Sequence, residues 1–311
     1  MMPEMITILG PTATGKTRLA AMLAERMKGE IISADSRQVY RGMDIGTGKD
    51  MEDYSLGDTV IPYHLIDIAD PGTVYNLFSF VKDFVSVFND IVQRDTMPIL
   101  CGGSGLYLEA AICGYQMSEA SEDKILRAQL EALDTNTLIN RLKNLRPLHN
   151  TTDITDRERL IRAIEIAAWE RGHPESIVVM PVKRDQVFGI KMPRHEVRSR
   201  ITERLEKRLE EGMIDEVKQL LAYNLTPEQL MFYGLEYKYI TEYVIGMITY
   251  DKMFTLLNTA IHQFSKRQMT WYRRMEKRGV AITWIDGMNP QHGRLEEILY
   301  HLQRRVGKIN R

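Results

Sequence analysis

Cysteine is scarce: Cys101 and Cys113 are the two in 311 residues. That excludes a disulfide framework and any metal–thiolate cluster. Both thiols sit in or beside apolar segments and read as buried and reduced. No apolar run reaches the ~18 residues of a membrane-crossing helix. Nor does a basic lead with a long apolar stretch precede the first strand, so a cytoplasmic chain with no membrane partner is expected. Net charge is -1, which leaves no global polycationic field for nucleic acid, although a balanced total can hide a basic face. Repeats, low-complexity tracts and coiled-coil heptads are missing too. What remains is ordinary: 44% hydrophobic and 27% charged residues, Gly 21 and Pro 11. The length allows one large domain, or a core with a smaller lobe.

The most informative stretch is Gly10-Pro11-Thr12-Ala13-Thr14-Gly15-Lys16-Thr17. It follows the apolar run Met5 to Leu9 and leads into a helical pattern from Arg18 to Met27. Strand, glycine-rich turn and helix in that order form a phosphate-binding loop. Backbone N–H groups and the helix N-terminus face the anion. Lys16 adds mobile positive charge, and the Thr17 hydroxyl is placed to reach Mg²⁺.

Glu30 to Ser36 reads as a short buried strand with a carboxylate and a hydroxyl at its end. Ligands bind at the carboxyl ends of parallel strands, which makes Asp35 a catalytic or magnesium-organising candidate; it could equally cap the next turn. Arg37 to Lys49 is polar, basic and glycine-punctuated, like a loop facing substrate. His64 to Ile68 reads as another strand, and Leu77 to Val92 as an amphipathic helix. Pro98 to Cys101 is a strand leading to Gly102-Gly103-Ser104-Gly105, where Ser104 is either a ligand contact or a plain N-cap.

From about Ser118 the pattern turns helical. The expected organisation is an α/β core over 1–118, a helical insertion over 119–185, and completion of the core over 186–311. In the insertion, Arg159 and Arg162 lie three apart on one helix face, as a solvated ion-pairing surface or a phosphate-contacting one. Gln186 to Met192 returns to strand character, followed by a long helix from Arg194 to Glu211. There Arg200, Arg204 and Arg208 form a stripe, either carboxylate-paired or directed at a phosphorus-containing group. Further helices are expected over Ile214 to Leu221 and from Pro227. His262 to Arg278 interleaves six Lys/Arg with aromatic residues, a face suited to RNA phosphates and bases but also common without RNA. Ala281 to Ile285 is a final strand, and the tail from Gly293 reads as a short helix with a basic end.

Together these stretches resemble the tRNA dimethylallyltransferases, the bacterial isopentenyl-tRNA transferases. The loop at 10–17 is similar to that family's loop, and Ile32 to Thr47 is close to a far more specific signature. His64-Leu65-Ile66-Asp67, Gly102 to Tyr107, Asp156 to Glu165 and Gln263 to Trp271 extend the likeness over nearly the whole chain. Departures are Asp153-Ile154-Thr155 where His-Pro-Asn is usual, Ser104 for threonine, and Glu236 and Tyr239 for glycine and glutamate.

The resemblance implies a P-loop NTPase-like parallel sheet with a helical insertion. It implies transfer of a dimethylallyl group from dimethylallyl diphosphate to N6 of the adenosine immediately 3′ of the anticodon, in tRNAs reading codons that begin with U. Gly10, Pro11, Thr12, Ala13, Thr14, Gly15, Lys16 and Thr17 would bind the diphosphate, with Mg²⁺ at Thr17. The catalytic set would be Asp35 as proton acceptor, Thr14 and Lys16 on the diphosphate, and Arg200 and Arg204 on the leaving group. Asp35, Ser36, Arg37, Gln38, Ser104, Arg159, Leu160, Ile161, Arg162, Ala163, Lys266 and Arg267 would meet the tRNA anticodon stem-loop. A monomer is expected. The competing readings are a P-loop kinase of a small metabolite and an RNA-binding protein with a degenerate centre; intact Lys16, Thr17 and Asp35 count against the second.

Overall fold

The computed structural model describes residues 4–120, 122–146, 156–174, 177–182, 185–223 and 225–309. Asp153, Ile154 and Thr155 lie outside them. The chain divides into a larger unit, Met1–Gly114 with Pro181–Arg311, and a smaller one, Tyr115–Met180.

The larger unit is built on β1 (Met5–Leu9), β2 (Gly29–Ala34), β5 (Tyr63–His64), β6 (Met97–Gly102), β9 (Asp185–Lys191) and β10 (Ile282–Asp286). They form one parallel sheet in the order β10-β9-β1-β6-β2-β5. Continuous apolar runs, rather than alternation, fit strands buried on both faces. Two further strands, β3 (Ser55–Leu56) and β4 (Thr59–Val60), make a small hairpin. The strands β1, β6 and β2 are neighbours, so the turns that follow them come side by side at one sheet edge. This is a P-loop NTPase-like α/β core.

Helices α1 (Lys16–Met27) and α12 (Gln291–Ile309) pack with the sheet around Ile6, Ile8, Leu19, Leu23, Ile31, Ile99 and Ile298. Burying each such side chain contributes about 1.5–3 kcal/mol before entropy is charged against it. On α2 (Leu77–Gln93), Phe80, Val81, Phe84, Phe88 and Ile91 are buried at helical spacing. The helix after β6 is α3 (Gly105–Cys113). A second core joins Val39, Tyr40 and Met43 to α7 (Arg194–Glu210), α8 (Met213–Ala222), α9 (Pro227–Phe232), α10 (Leu235–Val244) and α11 (Tyr250–Lys277).

The smaller unit holds α4 (Lys124–Glu131), α5 (Thr135–Leu145) and α6 (Arg157–Gly172), with the short strand pair β7 (Met117–Ser118) and β8 (Ile177–Val178). Asp123, Asp134 and Asp156 cap the three helices by accepting from backbone N–H groups in the first turn. Leu160 and Ile164 sit at its core against Leu130, Leu138 and Leu142.

Three sequence expectations change. The strand after Tyr63 stops at His64, because Leu65 and Asp67 take left-handed backbone (φ 63° and 54°) that ends ladder pairing. Cys101 is buried as expected, but Cys113 ends its helix exposed. The tail is no short helix: α12 runs 19 residues, and its first turns reach the phosphate loop.

Candidate active site

Three turns converge at the carboxyl edge of the sheet. The loop after β1 carries Gly15 in left-handed backbone, φ 73°, where a Cβ would lie 2.7 Å from Gln291 Nε2. The left-handed backbone is what favours glycine there, since the glutamine side chain could shift. Thr14 Oγ1 donates to Pro11 O at 2.8 Å inside the loop, so its hydroxyl faces inward in a fully buried residue. Distant residues clamp the loop. Gln268 Oε1 accepts from Thr12 N (2.9 Å) while Gln268 Nε2 donates to Gly103 O (2.9 Å). Tyr272 OH donates to Gly10 O at 3.1 Å. From α12, buried Arg294 donates to Thr14 O (2.9 Å), Asn289 O (2.7 Å) and Gly287 O, and Gln291 Nε2 donates to Gly15 O (3.0 Å). Sequence reasoning missed Gln291 and Arg294, since nothing local marks a polar tail residue as a partner of a loop 280 positions away.

The turn after β2 presents Asp35. Its Oδ1 accepts from Arg37 N at 2.9 Å, fixing the carboxylate at the mouth of the turn. The side chain shapes its own turn and also lines the cavity. The turn after β6 presents Ser104, which makes no cap to its own helix. Its Oγ instead accepts from Ser36 N at 2.9 Å, tying the two turns together.

All of this opens into a cavity of about 1130 Å³ within the larger unit. Part of its lining is cationic. Lys16 belongs to it, its ammonium pushed below its ordinary value by burial and by the charge of Arg204. Arg204 and Arg208 both ion-pair with Asp50, Arg208 at 2.9 Å, and Arg204 Nη1 donates to Thr12 Oγ1 at 3.4 Å. Burial would raise the Asp50 carboxyl, but the two guanidinium groups outweigh it and hold the net value down. Asp53 nearby is raised, by burial and then by the Asp50 charge. Of the arginines nominated from sequence, Arg204 reaches the loop, whereas Arg200 lines the cavity 4.0 Å from Glu196. Arg208 joins it.

Aromatic side chains, Tyr107, Phe232, Phe264 and Trp271, line the same cavity. Cys101 also faces the cavity, its thiol pushed up to about 12 by burial, so it stays protonated and unreactive near neutrality. The loop over 44–48 is held from behind by Glu216, whose carboxylate accepts from Asp44 N (2.9 Å), Ile45 N (2.7 Å), Gly46 N (3.1 Å) and Tyr237 OH (2.6 Å). Gly48, with φ 72°, then lies against the Arg208 guanidinium, where a Cβ would come within 2.5 Å.

The remaining sequence-nominated residues divide. Lys266 and Arg267 are exposed on α11, and Arg267 lines the cavity. Arg274 and Arg278 of the same basic stretch are instead held by buried Glu109, at 2.8 and 2.7 Å. In the smaller unit Leu160, Ile161 and Ala163 are buried in its core, which takes their side chains away from any RNA surface. Arg162 donates to Glu165 at 3.1 Å and to Ala120 O, while Arg159 is exposed.

Among the described residues no three His, Cys, Asp or Glu side chains converge to hold a metal ion. Thr17 lines the cavity together with Asp50 and Asp53. That donor set fits an ion carried mainly by substrate phosphate oxygens and water, the usual habit of Mg²⁺. No helix among the described residues is long and apolar enough to cross a membrane.

A phosphate loop, a neighbouring carboxylate turn and a cavity lined by both cationic and aromatic side chains fit a P-loop group-transfer enzyme. The family described as IPP transferase matches residues 38–275, and isopentenyl transferase matches residues 3–60. The chain is 48% identical to tRNA dimethylallyltransferase 2 of Bacteroides fragilis over 300 residues, 96% of this chain and 98% of that one. It is 50% identical to tRNA dimethylallyltransferase 2 of Porphyromonas gingivalis over 295 residues, 95% and 98% of the two chains. The full-length tRNA isopentenylpyrophosphate transferase of Bacillus halodurans superposes with TM-score 0.69 at 30% identity, covering 98% of both chains. The chain belongs to the tRNA dimethylallyltransferase (IPP transferase) family of prenyltransferases.

Proposed function

We propose that the enzyme transfers a dimethylallyl group from dimethylallyl diphosphate to N6 of the adenosine immediately 3′ of the anticodon, in tRNAs reading codons that begin with U, releasing diphosphate. The observation that carries this reading is one cavity lined by the glycine-rich loop with Lys16, by the oriented Asp35 carboxylate and by aromatic side chains.

The donor diphosphate lies along Gly10 to Thr17, met by loop N–H groups, Lys16 and Arg204, with Arg208 behind and Arg200 further along the wall. Among the described residues Lys16 has no carboxylate within ion-pair distance; it gains an anionic partner in the diphosphate, which opposes its downward shift. Magnesium, when bound, neutralises diphosphate charge and improves it as a leaving group; Thr17 is the residue that would hold it. The allylic C–O bond breaks as the adenosine N6–C bond forms. Asp35 accepts the N6 proton, which raises the reactivity of a poor amine nucleophile. Charge on the departing diphosphate is met by Lys16 and the arginines, fixed in advance by Asp50, Gln268 and Arg294.

The adenosine enters the same cavity, extruded from the anticodon loop, where unstacking costs least. Asp35 to Gln38 and Ser104 line that entry. Lys266 and Arg267 supply backbone contacts, and Arg159 on the smaller unit meets the anticodon stem. We infer a cytoplasmic enzyme acting as a monomer, since one chain's larger unit supplies the whole cavity.

Incubation with Mg²⁺, dimethylallyl diphosphate and unmodified tRNA, followed by nucleoside mass analysis, tests the reading. N6-dimethylallyl-adenosine is the expected product. Tight ATP binding with phosphoryl transfer and no tRNA modification would overturn it in favour of a kinase.

A further inference from the structure

Phe232 stands out among the cavity residues because it contributes little to the fold. It closes α9 with its side chain 62% exposed, while the adjacent Tyr233 is buried. Tyr233 stacks edge-on against Tyr40 at 4.6 Å, accepts from Gly72 N at 2.6 Å and donates to Thr73 O at 3.2 Å. The backbone that carries Phe232 is therefore fixed, while its ring is presented outward. Arg37 stands over that ring, its guanidinium carbon 5.7 Å from the centroid. Among the described residues the Arg37 guanidinium has no carboxylate within ion-pair distance. The Phe232 and Arg37 side chains line the same cavity as Asp35, along with Lys238 and Arg267.

An exposed ring gains nothing from burial, and a cation without a carboxylate gains nothing from pairing. Both gain from a flat, electron-rich partner on a polyanionic chain. Unpaired nucleobases have that character and stack on aromatic and guanidinium planes. We propose that Phe232, with Arg37, forms a stacking platform for an unpaired nucleobase of the substrate RNA flanking the adenosine that enters the cavity. The assignment rests on the tRNA reading above and adds a residue to it. Sequence alone did not single out Phe232, because one aromatic at a helix end looks like core.

The test compares wild type with Phe232→Ala, Phe232→Leu and Phe232→Trp. The probe is an unmodified anticodon stem-loop carrying 2-aminopurine beside the target adenosine. Wild type should quench the probe on binding. Phe232→Ala and Phe232→Leu should both weaken RNA binding by roughly tenfold and lose the quench. Phe232→Trp should restore both, with KM for dimethylallyl diphosphate unchanged in all three. Because the ring is exposed, the variants should unfold at the wild-type temperature. Leucine binding as well as phenylalanine, or alanine leaving RNA affinity and quench intact, would overturn the platform. Wild type that binds no RNA would instead overturn the transfer reading itself, a separate result read before any variant.

Discussion

Two sets of residues in the cavity lining are built to different rules. Around the phosphate loop many polar side chains are committed: Gln268, Tyr272, Gln291 and Arg294 bond the loop from outside, and Asp50 holds Arg204 and Arg208. Phe232, Arg267 and Lys238 of the same lining are instead exposed. A diphosphate is small, constant in shape and strongly charged, so a rigid cradle that needs no reorganisation serves it best. An RNA loop is large and variable, and adaptable cations and rings suit it better. The difference teaches where substitutions should act: on donor affinity and chemistry in the first set, on RNA affinity in the second.

The largest break should come from Lys16→Ala. Removing the loop's mobile cation should weaken donor engagement by about 100-fold or more, read as diphosphate affinity and kcat/KM, while tRNA affinity stays within a few-fold. Next is Arg294→Met, which tests the clamp beneath the loop. It leaves Thr14 O, Gly287 O and Asn289 O without their donor, a cost of about 1–3 kcal/mol for each buried group left unsatisfied. The expected result is a lower unfolding temperature and a raised KM for donor, with RNA affinity unchanged.

A site away from the cavity separates stability from both sets. Arg94, and then His64, hydrogen-bond the Glu30 carboxylate and hold it down to about 2 against the opposing effect of burial. A depressed carboxyl stabilises the fold fully above its unfolded value and loses that contribution as pH falls toward the folded value. The Glu30→Gln variant should therefore be less stable near neutrality, by on the order of 3 kcal/mol. The gap should close between about pH 4.5 and pH 2 in urea-midpoint measurements, with transfer at neutral pH unaffected. The smallest effect belongs to Arg159→Ala: a few-fold loss of tRNA affinity and a salt slope shallower by about one. No change in donor KM should accompany it.

Much of this was legible in the sequence because it is written locally. The run Met5 to Leu9 with its glycine loop announced a strand, a phosphate site and a helix. The spacing of Phe80, Phe84 and Phe88 announced a buried helix face. Asp35 was recognisable from its place after a buried strand. What could not be read depends on contacts between distant positions. The basic run on α11 looked uniform, yet Arg274 and Arg278 serve Glu109 while Lys266 and Arg267 stay exposed. Leu160, Ile161 and Ala163 matched a family segment but pack inward: helical periodicity turns Leu160 and Ile161 away from Arg159, while Ala163, one turn on from Arg159, is buried among the neighbouring helices. The clamp by Glu216 behind 44–46 joins residues about 170 positions apart and leaves no local trace.

Asp35 lines the cavity together with both sets of residues, and the most direct measurement compares it with Asp35→Ala in one preparation. Donor affinity, tRNA affinity and single-turnover transfer are read side by side. Both affinities should stay within about threefold of wild type while transfer falls by about 10²–10⁴. Transfer at the wild-type rate, or its loss together with either affinity, would contradict a carboxylate that acts on the proton of the attacking amine.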